Sequence, residues 1–240
     1  MHPEIAKVGG VTIYSHGVFV ALAIILAGSL FYFLAKKRNL ESDRLIDNIT
    51  TIVLVGIIGA RLAWVILNYS QLQSFIEVFY IWQGGLISWG GFLVSFLAVL
   101  FLFRKEINRT KLIDIFFLSG LLGVAIGRIG CYLARDIITI PTEKYPAGFP
   151  VAGLESVLAF VLFAIVVIIY FKFQKLAKGL VSLQVLFGYS LIRLFIDGYR
   201  DEQSLFLNLK PSQIASICAL FLIIIFFIFF IFNNKRKKNG

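Results

Sequence analysis

The chain has 240 residues, 59% of them hydrophobic and 15% charged, with a formal net charge of +10 and a mean hydropathy of +0.90. No water-soluble domain of ordinary composition looks like this, so the chain reads as an integral membrane protein. Two cysteines, Cys131 and Cys218, both within apolar runs, exclude a disulfide framework, and two histidines, His2 and His16, are too few for a histidine zinc cage. Neither a metal nor a cofactor is expected.

Residues 1–13 read as a short extended extracytoplasmic arm that turns at Gly9-Gly10. The arm lacks the apolar core of a cleavable signal peptide, since Pro3, Glu4 and Lys7 interrupt it. Apolar runs then predict helices over about Tyr14–Ala35, Ile49–Asn68, Gly84–Phe103, Leu112–Ala134, Val151–Phe173, Gly179–Tyr199 and Pro211–Phe232. Each approaches the roughly 20 residues a helix needs to cross the hydrocarbon. Residues 233–240 form a basic tail.

The loops orient these spans. Lys36, Lys37, Arg38 and Arg44 follow the first, Arg104, Lys105, Arg109 and Lys111 the third, Lys172, Lys175 and Lys178 the fifth, and Lys235-Arg236-Lys237-Lys238 close the chain. Asn68–Gln83 has no Lys or Arg. The positive-inside rule puts the tail in the cytoplasm and the N-terminus outside. The expected fold class is an all-α membrane protein, a single transmembrane domain over 1–240 with seven transmembrane helices. The basic loops lie where anionic lipid headgroups attract them, so the net charge is a topology signal and no nucleic-acid partner is expected.

The orientation assigns depths. Arg61, Arg128 and Arg193 come late in outward-running spans, whereas His16, Ser88, Trp89 and Glu155 come early in inward-running ones. Asp197 and Arg200 follow Arg193 on one helix face. Arg135 and Asp136 cap the fourth span on the outer side. An arginine such as Arg128, inside Gly127-Arg128-Ile129-Gly130-Cys131, costs roughly a few kcal/mol at that depth and is rarely kept without a partner or a task. Buried charge gathered in one layer points to a polar cavity at headgroup depth. Guanidinium groups bind phosphate through planar, forked contacts, and the natural anion there is a membrane lipid's headgroup.

Several motifs, in order, carry a resemblance: Gly59-Ala60-Arg61-Leu62, Trp82-Gln83-Gly84-Gly85-Leu86 with Trp89-Gly90-Gly91, Gly127-Arg128-Ile129-Gly130, Pro150 with Glu155, and Tyr189 through Arg193 to Asp197 and Arg200. Together they resemble the prolipoprotein diacylglyceryl transferase family over nearly the whole chain. That family moves a diacylglyceryl group from phosphatidylglycerol to the lipobox cysteine thiol of a prolipoprotein in the bacterial cell (inner) membrane. The resemblance implies that Arg128 and Arg193 hold the phosphate and stabilise its departure. It also implies that Glu155, Asp197 and Arg200 orient those arginines, and that Arg61, Asp136, Gly90 and Gly91 contribute substrate contacts. The chain departs from the family's usual residues at Trp89 (often histidine), His16 (often tyrosine), Cys131 (often asparagine) and Asp136 (often glutamate). The candidates for the general base are therefore His16, Asp136 and Glu155. Surrounding arginines should keep Glu155 ionised and structural, so His16 is the favoured acceptor of the thiol proton. Two other classes fit a polar cavity at this depth: a lipid or anion transporter or scramblase, and an inactive lipid-binding relative.

Overall fold

The structure is a computed structural model that describes residues 4–8, 11–40, 45–69, 72, 74–80, 84–135, 137, 139, 141, 148–172, 179–201, 209, 210, 212–214, 216–221, 223 and 224. Its helices are α1 (Ser15–Lys37), α2 (Leu45–Leu67), α3 (Ser88–Leu102), α4 (Arg109–Ala134), α5 (Val151–Lys172) and α6 (Leu180–Asp197). Five of them, α1, α2, α4, α5 and α6, are long and apolar enough to cross a membrane. Large apolar side chains such as Ile25, Leu54, Ile165 and Phe195 point outward. That surface suits hydrocarbon rather than water, as expected of an all-α multi-pass membrane protein.

Two details differ from the expected elements. The arm is a paired hairpin, β1 (Glu4–Val8) against β2 (Val11–Tyr14), antiparallel with Val8 opposite Val11 and an irregularity between Glu4 and Ala6. Secondly, α3 starts at Ser88, not Gly84, because Gly84 and Gly85 adopt φ of +86° and +72°. That left-handed backbone is open to glycine and cannot continue a right-handed helix. At 15 residues, α3 rises only about 22 Å, short of the roughly 30 Å hydrocarbon core. Half of the expected seventh span lies outside the described residues, and its described part is helical at 212–214, 216–221, 223 and 224.

The chain divides into two compact units, residues 28–116 and residues 1–27 with 117–240. In the first, α2 and α3 cross at their glycines. A β-carbon on Gly59 would strike Val94, one on Gly90 would strike Ala63, and one on Gly91 would lie 2.9 Å from the Gly56 carbonyl oxygen. Small residues let the two backbones approach, the usual basis of helix association in lipid. The Ser95 hydroxyl adds a hydrogen bond to the Ile52 carbonyl (3.1 Å). Phe31, Leu34, Val99, Phe103, Leu112 and Ile115 form the buried apolar centre of this unit.

In the second unit α4 is held against α5 by a hydrogen bond from Ser156 Oγ to the Ala125 carbonyl (2.7 Å). The helix ends at Ala134, where Arg135 turns the chain with φ of 57°, a left-handed helix terminus. The end of α4, the start of α5 and the end of α6 thereby supply the charged residues described next.

Candidate active site

Arg128 lies in the second-last turn of α4, Glu155 in the second turn of α5, and Arg193 one turn before the end of α6. At 1.5 Å per residue, all three sit roughly 6–9 Å inside their helix ends. Glu155 is wholly buried and accepts from three groups. Arg128 Nε approaches Oε1 at 3.0 Å, the Tyr189 hydroxyl donates to Oε1 at 2.7 Å, and Arg193 Nη1 lies 3.4 Å from each oxygen. Asp197, also wholly buried, pairs with Arg193 Nε (3.3 Å) and with Arg200 Nη1 (3.4 Å). The Arg193 contact is an ion pair without hydrogen-bond alignment.

The result is a chain of alternating charge: Arg128, Glu155, Arg193, Asp197, Arg200. Its exposure is layered, with the carboxylates at 0% and the arginine side chains at 17%, 13% and 12%. The wholly buried acids thus fix the guanidinium groups of arginines whose side chains stay partly exposed. Among the described residues of this chain three cations face two anions. Each of the three arginines has a carboxylate beside it, which offsets the cost of holding a cation in a low-dielectric setting.

Lys210 tightens the end of α6. Its ammonium donates to the carbonyls of Asp197 (2.6 Å), Gly198 (3.4 Å) and Arg200. These are carbonyls at and just beyond the helix terminus, where a cation also complements the helix dipole. On the other side, His16 Nδ1 lies 3.7 Å from Cys131 Sγ, which in turn is 4.0 Å from Arg128 Nη1. Gly130 makes this possible, since a β-carbon there would lie 3.2 Å from His16 Cα and 2.8 Å from Phe19 Cβ. Among the described residues no group of three or more His, Cys, Asp or Glu side chains is placed to hold a metal ion.

The sequence-predicted residues Arg128, Glu155, Arg193, Asp197 and Arg200 therefore come together, with His16 one side chain away. Asp136 lies outside the described residues. Arg61, Gly90 and Gly91 belong to the other unit. The Arg61 guanidinium is spent on the backbone, donating to the carbonyls of Val78 (3.0 Å), Gly84 (2.7 Å), Gly85 (3.1 Å) and Glu77, and it stacks on Trp64 (4.6 Å). This pins the loop after α2, while Gly90 and Gly91 serve the helix crossing. Trp89 is exposed at the start of α3. Sequence reasoning assigned no role to Tyr189 or Lys210. Tyr189 was legible in principle, four residues before Arg193 on the same helix face. Lys210 gave no signal, because it reaches back across the residues that follow α6.

The sequence profile of the family described as prolipoprotein diacylglyceryl transferase matches residues 3–231. The chain is 33% identical over 237 residues to the phosphatidylglycerol–prolipoprotein diacylglyceryl transferase of Acaryochloris marina, covering 91% of this chain and 85% of that protein. The protein of the same name from Caldanaerobacter subterraneus is 32% identical over 198 residues, covering 80% and 76%. Phosphatidylglycerol–prolipoprotein diacylglyceryl transferase 1 of Clostridium perfringens is 27% identical over 258 residues, covering 100% and 98%.

Proposed function

From the premise that the chain belongs to the prolipoprotein diacylglyceryl transferase family, we propose that it moves the diacylglyceryl group of phosphatidylglycerol onto the lipobox cysteine of a prolipoprotein. It does so as a seven-span enzyme of the bacterial inner membrane, N-terminus outside, with the arginine cluster towards the outer leaflet. The observation that carries the reading is the layered cluster, two fully buried carboxylates fixing three partly exposed arginines. A phosphodiester is an anion that guanidinium groups bind through planar, forked contacts. The cluster lies roughly 6–9 Å inside the ends of three apolar helices, which supports a ligand drawn from the membrane.

The reaction is a displacement at carbon. The cysteine sulfur attacks the glycerol carbon that bears the phosphate ester. A C–S bond forms, the C–O bond breaks, and its electron pair leaves on the phosphate oxygen as glycerol phosphate. Negative charge on the phosphate therefore grows, and Arg128 and Arg193 stabilise that growth because Glu155 and Asp197 hold them before the substrate arrives. Tyr189 and Arg200 steady the two carboxylates. A thiol has an ordinary pKa of about 8.5, so a proton acceptor speeds the attack, and His16 takes that role beside the cluster.

The test is the purified protein in detergent micelles with phosphatidylglycerol and a lipobox peptide. The expected result is a thioether-linked diacylglyceryl peptide with stoichiometric release of glycerol phosphate. If neither product forms, the transferase reading fails, and lipid flux in liposomes then separates a transporter from an inactive binder.

A further inference from the structure

The His16–Cys131 pair is a feature that the transfer reaction leaves partly unused. The reacting thiol belongs to the substrate, yet this chain keeps a thiol of its own at the edge of the cluster. Three observations converge on it. Cys131 Sγ lies 3.7 Å from the Nδ1 of His16, a side chain able to take its proton. The same sulfur lies 4.0 Å from Arg128 Nη1, a guanidinium nitrogen of the cluster. Gly127, one turn before Cys131 on the same face of α4, has open space where a side chain would be, with nothing within 4 Å of a β-carbon built there. Base, cation and room for an adduct thus meet at one sulfur.

We propose that Cys131 is a covalent modification site for small uncharged soft electrophiles, and that its adduct closes the anion cradle. With a maleimide, the sulfur adds to the electron-poor alkene carbon. An S–C bond forms, the carbon–carbon π bond breaks, and the thiol proton passes by way of His16 to the adjacent carbon. No oxidant or reductant is consumed. The adduct grows from a sulfur already in van der Waals reach of Arg128, so it occupies space that a phosphate gripped by that arginine needs. The loss of activity, though not the modification itself, rests on the transferase reading.

The experiment uses the full chain carrying Cys218→Ala, so that Cys131 is the only thiol. The protein in micelles is treated with N-ethylmaleimide, quenched and desalted before any peptide thiol is added, then analysed by mass and by turnover. One adduct on Cys131 is expected, with activity falling in step with it and saturating phosphatidylglycerol slowing its formation at least about threefold. His16→Gln in the same background should slow the adduct, read by mass alone, by about tenfold or more. Cys131→Ser, compared with its own untreated sample, should keep its activity. An unmodified Cys131, an adduct that leaves turnover intact, a rate indifferent to phosphatidylglycerol, or a rate indifferent to His16 would each overturn the proposal. Should untreated protein form no lipidated peptide, the transferase reading fails separately, while the mass, lipid-protection and His16 readouts still decide whether Cys131 is the site.

Discussion

Arg128→Lys keeps the charge and changes only its shape, so it separates a forked grip on phosphate from a diffuse positive field. In the structure Arg128 spends Nε on Glu155 at 3.0 Å, and its Nη1 lies 4.0 Å from Cys131 Sγ. A lysine ammonium is a single point donor. It can stay paired with the buried Glu155 or reach the phosphate, but it cannot do both along two fixed directions. Losing one preorganised donor to a developing oxyanion costs about 2.7–4 kcal/mol, a factor of about 100–1,000 in kcat. The fall should be in kcat more than in KM, because the contact strengthens as the phosphate departs. The assay is initial-rate formation of the lipidated peptide at saturating phosphatidylglycerol. A melting temperature close to wild type would show that the Glu155 pair survives. Turnover within about threefold of wild type in a well-folded Arg128→Lys protein would refute the forked-grip argument.

Glu155→Gln leaves Arg128 without its buried counter-charge and Arg193 with Asp197 alone, so it should lower stability by about 3–5 kcal/mol as well as abolish turnover. An unchanged melting temperature would show that the carboxylate does not hold the cluster. His16→Gln should remove the acid limb of the pH–rate profile, since a base works only when deprotonated and the wild-type rate falls as the imidazole gains its proton. Persistence of that limb at an undiminished rate would shift the role to Asp136 or to the substrate's surroundings. Arg61→Met should cost about 2 kcal/mol or more of stability through its orphaned carbonyls, yet leave the KM for phosphatidylglycerol near wild type. A selective rise in that KM would return Arg61 to the substrate site. Cysteines placed at Ser74 and Lys237 should react with an impermeant reagent from opposite sides of the membrane, and labelling of both from one side would overturn the seven-span orientation.

What the sequence determined by itself lies along the membrane normal. The length of each apolar run set where helices can cross, and α1, α4, α5 and α6 begin and end within a few residues of the expected positions. Cost makes such signals legible, because a charge or an unpaired backbone group in hydrocarbon is expensive whatever its neighbours are. The pair Arg193–Asp197 was legible too, since four residues bring two side chains onto one face of any α-helix. Depth, however, is a single coordinate. It grouped Arg61 with Arg128 and Arg193, whereas packing turns Arg61 onto the loop carbonyls of its own unit. It could not show that Glu155 receives Arg128, Tyr189 and Arg193 at once, because those partners are brought in by helices that meet sideways. The start of α3, the return of Lys210 to the end of α6, and the meeting of His16 with Cys131 were likewise decided in three dimensions. Where helices meet, the deciding quantity is how closely two backbones approach. Gly130 against α1 and Gly90 against α2 set that distance through the side chains they lack, and only the packed partner gives such an absence its meaning.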